Sequence, residues 1–224
     1  MTDLTKKNIV QEIRSNSWWI MNEMELAEYR SSEIPKNYDP NVAIFLSLSH
    51  RKEINNEWLK KIGELTDLTD LHLDGTSVTD AGISELIGLT KLKTLNLRAT
   101  KITNESLKTI SHLKSLENLW LNEIALNGED LKLLDNLPNL DSLFLGHRSK
   151  RADITDKDIE FLYNKGSIKS LSLEDTNVSS KSFDLFKSLP NLWYLVVTNT
   201  NISETEIISF KEQNPKMVIH YTDY

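Results

Sequence analysis

The segment Asp70-Leu71-His72-Leu73-Asp74 places one imidazole between two carboxylates at two-residue spacing. On an extended strand, residues two apart share a face, so this trio could exchange protons as an acid–base cluster. Such chemistry also needs a nucleophile or a substrate pocket beside it, and the surrounding sequence implies neither. A solvated strand face accounts for the trio more simply. The chain has no cysteine, which removes disulfides, thiolate nucleophiles and cysteine-based zinc sites together. Its five histidines form no His-x-x-x-His pair. No Gly-rich phosphate loop, Gly-x-Ser-x-Gly or His-Glu-x-x-His motif is present. The expectation is a protein that is not an enzyme and needs no metal or cofactor.

Other residues are suited to binding. Trp and Arg are enriched at the centres of protein interfaces, and Trp120, Phe144 and Arg98 fall close together in the pattern described below. The segment Gly146-His147-Arg148-Ser149-Lys150-Arg151-Ala152-Asp153 concentrates three fixed positive charges in a chain of net charge -7. Nucleic-acid binding normally needs a basic face, so the overall balance argues against it. An acidic chain instead steers basic partners toward itself. No apolar run approaches the length of a membrane span. Residues 1–29 alternate polar and apolar types and do not read as a secretion signal. The expected address is the cytoplasm.

These residues must be positioned by a repeat. Leu68, Leu71 and Leu73 spell L-x-x-L-x-L, and the pattern returns from positions 92, 116, 140, 168 and 192. The spacings are 24, 24, 24, 28 and 24, and a looser unit starts at Ala43. Five residues after the third apolar position comes another, at Val78, Ile102, Leu126, Val178 and Ile202. Apolar residues at helical spacing follow, such as Ile83, Leu86 and Leu89. Period two gives way to period three-to-four inside every unit, which predicts a strand, a turn and a helix. Thr79, Thr103, Asn127, Thr155, Ser179 and Ser203 stand where helix N-caps belong, since their side-chain oxygens can accept from orphan amides of the first turn. Ser203 and Glu206 have the spacing of a capping box.

This pattern resembles the leucine-rich-repeat family, and is most similar to Thr-rich bacterial units related to the cysteine-containing repeats of F-box proteins. The resemblance covers about residues 43–222 and implies an α/β, right-handed solenoid of about seven units. Parallel strands would line its concave face and helices its convex face. In the family an Asn or Cys ties neighbouring coils together at the turn. Here Thr76, Thr100, Thr176 and Thr200 hold that position, and a hydroxyl can both donate and accept. Ile124 cannot, and unit five has lost the register.

The expected organisation is a mainly helical N-terminal cap over 1–42, repeats over 43–216 and a closing strand over 217–224. An open solenoid end exposes leucines and needs a cap. With Leu71 and Leu73 inward, strand alternation gives three solvent-facing rows. The central row holds Ser47, His72, Asn96, Trp120, Phe144, Ser172 and Val196. One flank contains Asp70, Asn118 and Tyr194, and the other Asp74, Arg98, Asn122 and Glu174. Trp120 and Phe144 lie on successive strands, about 5 Å apart in backbone terms.

The expected partner-binding residues are therefore Trp120, Phe144, His72, Asn96, Arg98, Asn122, Tyr194, Glu174, His147, Arg148 and Arg151. The expected function is a monomeric protein-interaction module that binds another protein, no nucleic acid and no membrane. One form of it is an immunity protein that neutralises a basic bacterial toxin domain. The alternative is a self-associating structural repeat protein. The sequons at Asn104, Asn177 and Asn201 read as by-products of the repeat.

Overall fold

The computed structural model describes residues 3–15, 19–21, 44–147 and 151–221. Nine short strands, β1 (Trp19–Met21), β2 (Phe45–Ser47), β3 (Asp70–His72), β4 (Thr94–Asn96), β5 (Asn118–Trp120), β6 (Ser142–Gly146), β7 (Ser170–Glu174), β8 (Tyr194–Val196) and β9 (Val218–His220), form one open sheet in sequence order. β1 pairs antiparallel with β2, and every later pair is parallel. This is an α/β leucine-rich-repeat solenoid. Each coil carries one strand, with β2 in coil one and β8 in coil seven.

The leucine pattern explains the stacking. Leu71, Leu95, Leu119, Leu143, Leu171 and Leu195 are in register across the strands and buried. With the return-side residues, Ile83 and Leu107 among them, they build one continuous apolar core. Ile9 and Val10 of the helix Asp3–Ser15 join it. That helix is also tied by Lys6 to Asp67 at 3.1 Å and by Glu12 to Lys61 at 2.6 Å. Truncating one such buried Leu to Ala costs about 2–5 kcal/mol.

The return segments are α-helical in some units and 3-10 in others: coil one returns through the α-helix Asn56–Ile62. Units four and five use only 3-10 turns, Leu131–Asn136 and Asp156–Leu162, while Glu204–Gln213 is a ten-residue α-helix. A 3-10 turn rises about 2.0 Å per residue against 1.5 Å for an α-helix, so a short return spans the coil with fewer residues. Thr79 makes no cap bond and accepts from Asn56 instead, while other expected caps form. Glu129 and Lys181 amides donate to Asn127 and Ser179 side chains at 3.1 and 3.4 Å. Ser203 and Glu206 form the capping box. Thr103 accepts from Glu105 at 3.3 Å although the α-helix starts only at Ser106.

The turn threonines behave differently from expectation. Thr76, Thr100, Thr176 and Thr200 donate to carbonyls three residues back in their own coil, at 2.6–2.9 Å. They close the turn, and neighbouring coils are tied instead by backbone bonds such as Ser77 to Ile54 and Lys101 to Val78. Side-chain ties run one turn further on, at the first helical residue. Asp80 accepts from the Thr103 amide, the Thr103 hydroxyl and the Ser106 hydroxyl at 2.5–2.9 Å. Asp156 does the same for Ser179 and Ser182. Asn56 pairs with Thr79, and Asn104 with Asn127.

Candidate functional site

Strand pairing puts the candidate residues in the predicted rows. His72, Asn96, Trp120 and Phe144 are successive partners across β3 to β6. The Trp120 and Phe144 rings stack with centroids 5.2 Å apart and planes within 5°. Their faces meet each other, so their edges are turned elsewhere. The cluster extends further than the pair. His72 leans over the intervening Asn96 strand to bring its ring 6.5 Å from Trp120, and Phe45 lies 5.4 Å from His72 on the other side. Trp120, Phe144 and His72 are each partly exposed. An aromatic band thus crosses five strands.

The polar residues around this band are held by one another. Asn96 donates to Asp74 at 3.1 Å and accepts the Arg98 amide. Arg98 donates through Nε and Nη2 to one oxygen of Glu123. Asp74 also accepts from Ser49 at 2.6 Å and lies 3.3 Å from the His50 ring. Asp74 is therefore the hub of a structural network, in which His50 rather than His72 is the ring nitrogen beside it. Asn122 has a buried Oδ1 without a hydrogen-bond partner. The flank holding Asp70 is more enclosed than alternation alone suggests. Asp70, Thr94 and Ser142 are buried, because side chains on strands about 4.8 Å apart crowd one another.

The remaining candidates lie away from the band. The Tyr194 ring lies tilted 5.2 Å from His220 and 5.7 Å from Trp193 near the C-terminal edge. Glu174 is part-buried beside Gly146, the residue that releases the chain from β6 into the inserted loop. Gly146 has φ +111°, and a Cβ there would meet the Glu174 carbonyl at 1.7 Å, so only glycine fits. His147 is half-buried. Arg148 lies outside the described residues. Arg151 reaches two coils along the solenoid, donating to Asn201 Oδ1 at 2.8 Å and to the Asn199 carbonyl at 2.8 Å. Its guanidinium is engaged within the chain and anchors the end of the insertion.

Sequence reasoning passed over Phe45, His220 and Trp193 as site residues. Phe45 stands on the strand of Ser47, in register with Asp70, and His220 follows from extending the central row by one strand. Trp193 stands at a coil position held by Lys93, Glu117, Asp141 and Lys169 in earlier units, where ion pairs join Lys93 to Glu117 and Lys169 to Asp141. A half-exposed Trp there breaks a charged row.

No cluster of His, Asp and Glu suited to a metal ion occurs among the described residues. No helix among them is long and apolar enough to cross a membrane. A groove of about 720 Å³ runs between the return segments of units four and five, beside Gly128, Asp158 and Phe161. It is lined by none of the aromatic-band residues.

No protein-family model and no curated protein matches the chain. Among solved structures it is similar to an internalin C2 from Listeria monocytogenes, with 20% identity and a TM-score of 0.59, covering 88% of this chain and 90% of that one. A second internalin from the same organism gives 23% identity and a TM-score of 0.55 over 80% of this chain and 53% of that one. So the chain spans about half of that second protein. With its strand register, its leucine core and these neighbours, the chain has the leucine-rich-repeat fold.

Proposed function

We propose that the chain is a protein-interaction module that binds its partner on the solvent-facing side of the sheet, centred on Trp120 and Phe144. The observation that carries this reading is the Trp120–Phe144 stack with His72 beside it, three rings that stay partly exposed on the strand face. Large aromatics in such a setting are the side chains that dominate interface energetics. The described residues offer no catalytic cluster to compete with it, and the internalin-like fold agrees with a non-enzymatic binder. His72, Asn96, Arg98, Asn122, Glu174 and Tyr194 would surround the contact, with His147, Arg148 and Arg151 on the adjoining loop. The chain's net charge of -7 favours a basic partner. The specific form of this reading is neutralisation of a basic bacterial toxin domain in the cytoplasm.

The test is quantitative binding of the captured partner to Trp120→Ala and Phe144→Ala, each verified as folded by circular dichroism. Loss of a hot-spot side chain costs at least about 2 kcal/mol, or more than tenfold in affinity. Unchanged affinity in both folded variants would remove the band as the site.

A further inference from the structure

The two ends of the sheet differ. At the N-terminal end, β1 runs antiparallel to β2, and the helix Asp3–Ser15 buries Ile9 and Val10 in the core. At the other end β9 is the edge strand, and an edge presents unpaired backbone groups. Exposed apolar side chains gather on these last two coils: Trp193 at 52%, Val218 at 43% and Ile208 at 42% exposure.

The hydrogen-bond phase of that edge is specific. The Val218 amide donates to the Trp193 carbonyl at 2.7 Å, and the His220 carbonyl accepts from Val197 at 2.8 Å. Residues 218 and 220 therefore point their backbone groups at β8. Alternation along a strand turns the N–H and C=O of the residue between them, Ile219, to the open edge. In an antiparallel pair two directly opposed residues exchange both bonds, and a two-fold axis through such a pair makes a surface complementary to itself.

We propose that two copies of this chain associate through β9, antiparallel about a two-fold axis at Ile219, to join their sheets into one. Val218 then lies opposite His220 of the second copy. Trp193, one strand back in register with Val218's neighbour Met217, is long enough to cover the seam. A three-residue strand pair with three apolar side chains makes a small, reversible interface. It leaves the aromatic band open, so it stands independently of the proposed binding site, and it differs from the monomer expected from sequence.

Sedimentation equilibrium of the full chain over about a hundredfold range of concentration tests it. The mass should climb from 25.7 kDa toward twice that value. Val218→Lys, a charge on an edge strand, should weaken the association at least about tenfold with an unchanged circular dichroism spectrum. Trp120→Ala/Phe144→Ala should associate like the parent. The Ile219 amide should gain hydrogen-exchange protection with concentration in step with the mass. A single-chain mass throughout overturns the proposal. So does association that survives Val218→Lys or disappears with the Trp120 and Phe144 changes, and so does an Ile219 amide that exchanges freely in the heavier species. Partner capture by the aromatic band is read separately, so either idea can fail alone.

Discussion

At the residue scale, one recurrent strain was invisible in the leucine pattern. His50, Ala99, Glu123, Asp175 and Asn199 occupy the same place in their coils, two residues past the third apolar position, and all have φ between 51° and 61°. Gly75 holds the equivalent place in coil two with φ 67°. The chain must turn sharply off each strand there, and the backbone amide donates to the next coil, as Ala99 does to Asn122. Asp and Asn tolerate this region because a short polar side chain can bond locally, and here Asn199 also donates across to Asp175 of the preceding coil. Ala99 has no such compensation. A non-glycine residue in this conformation costs about 1–2 kcal/mol, partly offset by glycine's greater backbone entropy when unfolded. Ala99→Gly is therefore expected to raise stability by up to about 1 kcal/mol. Equilibrium urea unfolding checks this, and a lower midpoint would show that Ala99 is not strained.

At the scale of the element, the sequence announced the strand register through its leucines and the helix starts through its hydroxyls. It did not announce what those starts do between coils. Capping logic looks only within one helix, whereas Asp80 and Asp156 sit at first helical positions and bond forward to the cap of the next coil. Bonds between coils occupy all three sequon asparagines, since Asn104 donates to Asn127, Asn177 to the Ala152 carbonyl and Asn201 to the Asn177 carbonyl. The ladder also titrates. Partial burial pushes the Asp80 carboxyl up, but bonds from the Ser106 hydroxyl and the Thr103 amide and hydroxyl outweigh it and hold the pKa below its ordinary value. Asp156 is balanced the same way by Ser182 and Ser179. A carboxyl whose folded pKa is lowered contributes stability above its unfolded pKa of about 3.9, and loses it as the pH falls through the folded value. Asp80→Ala and Asp156→Ala also leave Ser106 and Ser182, both buried, without their carboxylate acceptor. Each is expected to cost about 1–2 kcal/mol near neutral pH. The difference from the parent should shrink as both are unfolded in progressively more acid buffer below about pH 4. A difference that stays constant into acid would assign the loss to packing alone.

At the scale of the whole molecule, the ladder is interrupted between coils four and five, and the aromatic pair spans that junction. Repeat proteins hold together by nearest-neighbour interfaces, so each junction can be compared with the next. Asn56, Asp80, Asn104 and Asp156 bridge four of the junctions. Between coils four and five the equivalent residue is Gly128. A Cβ there would lie 2.0 Å from the Asp158 carboxyl carbon, because Asp158 turns back to cap its own Thr155. Trp120 and Phe144 belong to these same two coils, so their stack crosses the junction on its strand side. The repeat made both residues legible as a pair. It could not show that the side-chain tie is missing at this junction, because that tie depends on the 28-residue unit and on where Asp158 folds. The proposed binding role and a bracing role would act through the same rings, and a double-mutant cycle separates them. Denaturant unfolding of Trp120→Ala, Phe144→Ala and the double variant should give a coupling of about 0.5–1.5 kcal/mol. If the stack braces the weakest junction, amide exchange in the single variants should accelerate first in β5, β6 and their return segments, ahead of coils one and seven. Uniform acceleration along the solenoid, or no coupling between the rings, would leave binding as the reason the two aromatics stand together.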